Sequence, residues 1–170
     1  FHEPYGKVTL TEEGRRRALE VVRRHRLLET YLHDALGFEW DEVHEEAEIL
    51  EHAVSDRLLN RIDERLGYPT RDPHGDPIPT ADGHVCILAL TPLCDIPFHR
   101  RMRVARFSDS DARALRSLES KGLRLDTVVV VNERMDAQTM KIIVQAEEKE
   151  RLLELNAQEA ALVFVTSVEE

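Results

Sequence analysis

A proline- and glycine-rich stretch divides the sequence into two halves with different residue patterns. Its marker residues lie between Gly67 and Gly83 and are Pro69, Pro73, Gly75, Pro77 and Pro79. Proline fixes the backbone angle φ and lacks an amide donor, so this spacing excludes both a long helix and a central strand. The pattern is helical before the stretch and strand-like after it. We therefore predict an α+β chain with a helical domain at residues 11–68, a linker at 69–83 and a β-rich domain at 84–170.

Capping residues mark the ends of three predicted helices in the first half. Thr11 is a favourable N-cap for the first helix, and Gly37 can adopt the left-handed conformation that ends it. The second helix is predicted to begin at the cap Asp41. The third follows the cap Ser55 and runs to the proline-rich stretch.

Each of the first two helices carries an apolar stripe at helical spacing, which predicts the face that it buries. The stripe of the first helix comprises Ala18, Val21, Val22, Leu32 and Leu36. The stripe of the second helix comprises Val43, Ala47, Leu50 and Val54. His25 and Glu29 interrupt the first stripe, and burying two ionisable groups without a partner is costly. We therefore expect both side chains to meet a polar or ionic partner.

Short apolar runs after the proline-rich stretch predict a small β-barrel around one helix. The predicted strands lie near residues 85–90, 101–106, 127–132, 140–145 and 162–168. The predicted helix runs from Ser110 to Lys121 and ends at Gly122. Cys86 falls within an apolar run and is interpreted as a packed core thiol.

The net charge of −10 argues against nucleic-acid binding by this chain itself, because phosphate contacts require clustered Lys and Arg. Arg15, Arg16 and Arg17 form a local basic exception, which we interpret as a solvated helix face. No apolar run approaches the length of a membrane span, and Cys86 and Cys94 alone are too few for a disulfide framework. These features predict a cytoplasmic protein with no membrane partner.

Six residues in the first two predicted helices form a candidate metal site. Two are one turn apart on the first helix and four share one side of the second: His25, Glu29, His44, Glu48, Glu51 and His52. If the two helices pack antiparallel, both sets can converge. Carboxylates and imidazoles without a thiolate suit Mn(II) and Fe(II). The alternative is a set of exposed Glu–His pairs, which explains the first helix poorly because its stripe is otherwise apolar.

The spacing of these residues resembles the diphtheria toxin repressor and manganese transport regulator family of metal-dependent transcriptional repressors. The resemblance rests on the segments 25–29, 43–52 and 55–56, on Gly37 and on the loop 72–79. It assigns three residues to a regulatory metal site, Glu48, Glu51 and His52. It assigns three others to an ancillary site, His25, Glu29 and His44. Iron-type members of the family carry Cys where this chain has Glu48, so the resemblance favours Mn(II) over Fe(II) as the cofactor.

The same resemblance implies the remaining architecture and the partners. Residues 1–10 resemble the end of the wing of a winged helix-turn-helix, whose preceding part and metal ligand are expected outside this sequence. Residues 84–170 resemble the SH3-like, FeoA-type domain of longer members. There Asp109 or Asp111 could add a metal ligand, although both also suit the first turn of the helix that follows. The implied protein is a homodimer that represses metal-homeostasis genes by binding palindromic operator DNA, with Arg15 to Arg17 near the DNA-binding domain.

Two other functions agree with parts of the sequence. A di-iron carboxylate enzyme of the bundle type would need a Glu-x-x-His pair on each of two helices. The second helix offers only Asp41-x-x-His44 and the adjacent pair Glu51-His52, and the first helix has no Glu-x-x-His. A metal-buffering or transporter-associated protein is suggested only by the FeoA-like half. No nucleophile–base arrangement and no Gly-rich phosphate loop is evident in the sequence, so we predict that the protein is not an enzyme.

Overall fold

We describe the protein from a computed structural model over residues 9–134, 139–145 and 150–168. The predicted wing end at residues 1–10 lies almost wholly outside these residues. Within them, no helix is both long and apolar enough to cross a membrane. Three helices come first along the chain, and a six-stranded antiparallel sheet follows. The predicted α+β class is confirmed.

The three predicted helices form close to the expected positions: α1 (Glu12–Leu36), α2 (Val43–Glu51) and α3 (Asp56–Leu66). At the start of α1 the Thr11 hydroxyl oxygen accepts the amide of Gly14 at 3.0 Å, and Ser55 caps α3 in the same way. Gly37 and Gly67 end α1 and α3 with positive φ. Local capping signals therefore predict these boundaries correctly.

The predicted cap of α2 is wrong. Asp41 lies two residues ahead of the helix, and its carboxylate forms an ion pair with Arg116 of the second half of the chain. Glu42 occupies the N-cap position but makes no side-chain capping bond. The Asp41 side chain, which the local sequence pattern assigns to the cap, therefore pairs with a residue that is distant in sequence.

The buried face of α1 differs from the predicted stripe. The exposed members of that stripe are Ala18, Val21 and Leu36. Leu32 is buried as predicted, but its buried neighbours on α1 are Leu27 and Leu28, and the three share one apolar cluster with residues of α2 and α3. The cluster involves only the C-terminal half of α1, so apolar residues near the start of this long helix stay at the surface.

The second half folds into a sheet with two short helices. The strands are β1 (Thr91–Pro92), β2 (Arg101–Phe107), β3 (Val128–Arg134), β4 (Thr139–Gln145), β5 (Glu150–Asn156) and β6 (Val163–Ser167). The helices are α4 (Ala112–Ser120) and α5 (Ala157–Leu162). The strand order is β1-β6-β2-β3-β4-β5, so the last strand returns to lie between the first two. A second apolar core, which includes Phe107 at the end of β2, fills this half.

Two predictions for the second half are wrong. Residues 85–90 form no strand, and no strand in the described part of the chain pairs with them. Cys86 is exposed rather than packed in a core, and the neighbouring Ile87 is 87% exposed. The run has the composition of a strand, but a strand also requires a neighbour to pair with, which local composition does not provide.

The proline-rich stretch packs between the two halves. It forms no helix and only one isolated bridge, as its proline content predicts. His74 is nevertheless buried, and its carbonyl oxygen accepts the amide of Phe107 at 2.7 Å. The carbonyl oxygen of Pro77 accepts from the Arg26 guanidinium of α1 at 2.5 Å. We call residues 72–78 the joint loop, because they bond to both α1 and β2.

Replacing Gly75 of the joint loop by Ala is expected to destabilise the protein more than replacing Gly37 by Ala. Both glycines have positive φ, 94° and 76°, which costs an L-residue about 1–2 kcal/mol. A Cβ at Gly75 would also overlap the carbonyl oxygen of Ala105, whereas a Cβ at Gly37 meets nothing within 4 Å. Urea denaturation should show a loss of about 1 kcal/mol for Gly37→Ala and at least about twice that for Gly75→Ala. Equal losses would contradict the close packing of the joint loop on β2.

Candidate metal centre

Packing of α2 along α1 brings candidate ligands of the two helices together. Val43 and Ala47, from the predicted stripe of α2, are buried in one cluster with the leucines of α1. His25 of α1 then lies between two side chains of α2. Its Nδ1 is 2.9 Å from Glu51 Oε2, and its Nε2 is 3.1 Å from His44 Nδ1.

Glu29 supplies the buried carboxylate of this group, with a relative exposure of 3%. Its Oε1 lies 3.0 Å from His25 Nε2 and 3.3 Å from His44 Nδ1. The residue follows Leu27 and Leu28 on the packed part of α1, so the helix cannot turn it towards solvent. A buried carboxylate needs a compensating cation, which imidazolium groups or a metal ion can provide.

The three ligands expected at the regulatory site do not all lie together in the structure. Glu51 belongs to the group around His25, and its Oε1 lies 3.4 Å from His52 Nε2. The His52 side chain is 78% exposed. Glu48 is exposed as well, and within the described residues no hydrogen bond or ion pair joins it to this group.

The joint loop adds a second group of buried ligands that our sequence analysis misses. Asp72 and His74 place ligand atoms within 4.8 Å of each other and of Glu29, and all three residues are buried. His74 Nε2 lies 2.9 Å from the carbonyl oxygen of Trp40. A carbonyl only accepts, so Nε2 carries a proton and the neutral ring keeps a lone pair on Nδ1. The Asp-Pro-His-Gly pattern is the available signal, but it does not reveal that the loop folds back onto α1.

A cavity of about 300 Å³ opens beside both groups, and its walls carry three imidazoles and five carboxylates. Asp109, from the segment ahead of α4, is one of these carboxylates. Asp111 instead caps α4, where its Oδ1 accepts the amide of Arg113 at 2.9 Å. Of the two acids expected to assist the metal site, the structure therefore brings only Asp109 to the cavity.

The three arginines expected near DNA are exposed in the first turns of α1. Arg16 and Arg17 both bond to the Glu13 carboxylate, at 2.7 and 2.8 Å. These contacts agree with the interpretation of a solvated helix face that carries its own local ion pairs.

His25 and Glu29 shift each other's pKa in opposite directions. The hydrogen bond from Glu29 raises the pKa of the His25 imidazole against the effect of burial, and Glu51 adds to the rise. Burial pushes the pKa of Glu29 upward, but the hydrogen bond and the charge of His25 outweigh it, so this pKa lies below its usual value. The contact between the two side chains thus favours the charged form of each.

The pKa of Asp72 is shifted in the opposite direction to that of Glu29. Burial and the nearby negative charge of Glu29 raise the pKa of Asp72 to about 7, although His74 acts against the rise. Arg26 is the closest fixed cation, with its Nε 3.6 Å from Asp72 Oδ2 and its Nη2 3.2 Å from Asp76 Oδ1. Two buried carboxyl groups whose negative charges repel each other form an arrangement that a divalent cation stabilises.

The donor set fits a hard or borderline divalent metal ion. It consists of carboxylate oxygens and imidazole nitrogens, with no thiolate among the lining residues. Mn(II) and Fe(II) are bound by such mixed sets, and Glu29 lies where two neighbouring ions could share it.

Comparisons with known proteins agree with this chemistry. A sequence model described as the metal binding and dimerisation domain of iron-dependent repressors matches residues 11–80, and an FeoA domain model matches residues 91–167. A solved structure of a manganese-dependent transcriptional repressor in complex with manganese is 47% identical to this chain, with a TM-score of 0.89. That match covers 97% of this chain and 77% of the other. The chain belongs to the diphtheria toxin repressor and manganese transport regulator family.

Other relatives match about two fifths of the chain. The iron-dependent repressor IdeR of Mycobacterium tuberculosis is 47% identical over 70 residues, which is 41% of this chain and 30% of that protein. A probable metal transport system membrane protein of Chlamydia trachomatis is 44% identical over 71 residues, 42% of this chain and 16% of that protein. The match thus spans less than a third of the length of these curated proteins.

In the presence of a chelator, the free energy of unfolding is expected to fall as the pH rises from 6 to 8. His25 has a raised pKa in the folded protein, so its stabilising contribution is complete below about 6.5 and is lost as the pH rises through the folded value. Asp72 acts with the same sign, because its folded pKa of about 7 lies above the ordinary value of 3.8. Urea denaturation at several pH values measures the change. Asp72→Asn, which keeps a neutral side chain, should make the fall shallower, and a stability that rises over this range would contradict the shifts.

Proposed function

We propose that this chain is the metal-sensing and dimerising part of a transcriptional repressor that Mn(II) activates. The observation that carries the proposal is the buried Glu29 carboxylate, which two groups of imidazole and carboxylate ligands share. The similarity to a manganese-dependent transcriptional repressor over 97% of the chain supports the regulatory function. The FeoA-type second half and the joint loop would then serve the same sensor.

We assign a regulatory ion to the outer ligands of α2, Glu48, Glu51 and His52. The exposure of Glu48 and His52 is consistent with a site that a further ligand from outside the described residues completes. We assign an ancillary ion to the inner ligands, His25, Glu29 and His44. Asp72, His74 and Asp109 extend this ancillary site from the joint loop and the second domain, and Glu29 belongs to both of its ligand groups.

Mn(II) is the proposed activating ion, with Fe(II) as the alternative. A glutamate stands at position 48, and the cavity offers oxygen and nitrogen donors only. Such donors serve a hard ion well, although any such site also binds the later first-row metals. Zn(II) should therefore compete with Mn(II) in solution.

A bound ion would act by adding metal–ligand bonds to the apolar packing, ion pairs and hydrogen bonds that already hold the elements of the centre together. It would tie α1 to α2 and the joint loop, and thereby favour one of two arrangements of the protein. Ile49 on α2 and Leu58 on α3 are exposed apolar residues, as expected of a helical domain that pairs with a second copy. With a net charge of −10, contact with palindromic operator DNA falls to the winged helix-turn-helix of the intact protein.

A role in metal transport is the second candidate, since 71 residues of the chain also match a protein described as a probable metal transport system membrane protein. A band shift with the intact protein and DNA from its own promoter separates the two. The repressor hypothesis expects retardation of that DNA with Mn(II) and release with a chelator. Mn(II) binding without any metal-dependent retardation would favour transport or buffering.

Glu51→Gln is expected to weaken Mn(II) binding by at least about tenfold, whereas His33→Gln should leave it unchanged. Glu51 contacts both His25 and His52, so the amide removes a negative ligand at the meeting point of the two groups. His33 is the control because it is a possible metal ligand on α1 whose ring pairs with Asp34 outside the cavity. Titration of free Mn(II) by electron paramagnetic resonance measures both affinities. Equal affinities would refute the ligand assignment.

A further inference from the structure

Trp40 belongs to the helical half by sequence but to the second half by packing. It lies between α1 and α2 and is only 3% exposed. Its side chain is part of the apolar core of the second domain, where its ring centroid is 4.9 Å from that of Phe107. The segment that leads into α2 is therefore anchored in the neighbouring domain.

The backbone of Trp40 is fixed by the joint loop as well. Its carbonyl oxygen accepts from His74 Nε2 at 2.9 Å, and the carbonyl oxygen of His74 accepts the amide of Phe107 at 2.7 Å. Trp40, His74 and Phe107 thus form a closed ring of three contacts, and all three are buried. Buried hydrogen bonds of this kind hold geometry tightly, because breaking one leaves an unsatisfied polar group.

Asp41, the residue after Trp40, also contacts the second domain. Asp41 forms an ion pair with Arg116 of α4, and α2 begins without any side-chain capping bond. The start of α2 is consequently held by contacts with the second domain instead of by a cap of its own.

His44 lies in the first turn of α2, four residues after Trp40. Its Nδ1 is within 3.1 Å of His25 and 3.3 Å of Glu29, distances that a small shift of the helix start would break. We infer that Trp40 is a positioning residue through which the second domain sets the place of His44 at the metal centre. The inference rests on the proposed function, since it takes His44 to be a metal ligand.

Packing on α1 would keep α2 in place without Trp40. Val43 and Ala47 are fully buried in the helical core, which does not include Trp40. The inference therefore predicts a local change at the first turn of α2, with the helix itself preserved.

The test is a double-mutant cycle on the full chain, with Mn(II) binding read from the electron paramagnetic resonance signal of the free ion. Trp40→Ala is expected to weaken binding by about tenfold, as for other residues that orient metal ligands. Trp40→Phe, which keeps an aromatic ring against Phe107, should restore most of the affinity. In a His44→Ala background, Trp40→Ala should add less than about a twofold loss, because its effect passes through His44. Ile87→Ala, at an exposed apolar residue, is the control and should bind as the unsubstituted chain does.

The outcomes separate the inference from the proposed function. Unchanged affinity in a folded Trp40→Ala protein, or a full tenfold loss that persists in the His44→Ala background, overturns the inference alone. No Mn(II) binding by the unsubstituted chain overturns the proposed function. If circular dichroism shows that Trp40→Ala is unfolded, Asp41→Asn enters the same cycle. A loss of affinity that His44→Ala abolishes then supports the inference, and no loss overturns it.

Discussion

The buried carboxylate of Glu29 is the constraint around which the centre is built. Its position on α1 is set by the leucines beside it, which must be buried for the helical domain to have a core. The carboxylate goes inside with them, and every charged or polar neighbour then responds to it. The pKa of His25 is raised, His44 Nδ1 lies 3.3 Å from the carboxylate, and the pKa of Asp72 is raised to about 7. Burial of the leucines therefore also determines the pKa shifts of the ionisable groups around Glu29.

The helix boundaries of the first half of the chain could be predicted from the sequence because the capping signals are local. Thr11, Gly37 and Ser55 act on residues three or four positions away, which is the range that capping rules describe. His25 and Glu29 stand out because an apolar stripe makes ionisable groups anomalous. The same rules fail for Asp41, where an ion pair with a residue far along the chain displaces the cap. Asp72 and His74 are not predicted as ligands for a related reason, since no residue near them in the sequence indicates that the loop packs back onto α1.

In the second half, burial explains both the successes and the omissions. Strands β2, β3 and β4 form near three of the predicted apolar runs, and their buried residues form the core of the sheet. Strand β5 lies at the end of the strand order and is mostly exposed, and its sequence ERLLELN lacks the regular alternation of a half-buried strand. Helix α5 begins at a capping box formed by Asn156 and Glu159, which was available in the sequence but is followed by only six helical residues. The apolar run at 85–90 gives the opposite error, a strand signal without a strand to pair with.

The joint loop and residues 85–90 both connect the two domains, but they differ in how well they tolerate insertions and deletions. The joint loop is fixed at both ends and in the middle, so an inserted residue between Asp72 and Ile78 would move His74 away from the Trp40 carbonyl. Residues 85–90 pair with no strand of the described chain, and even doubling the length of a flexible connection costs only about 0.6 kcal/mol. Related chains can therefore diverge in spacing at the second connection while the first stays constant in length. Differences in length between homologues would be expected to accumulate just ahead of β1, leaving the seven residues of the joint loop uninterrupted.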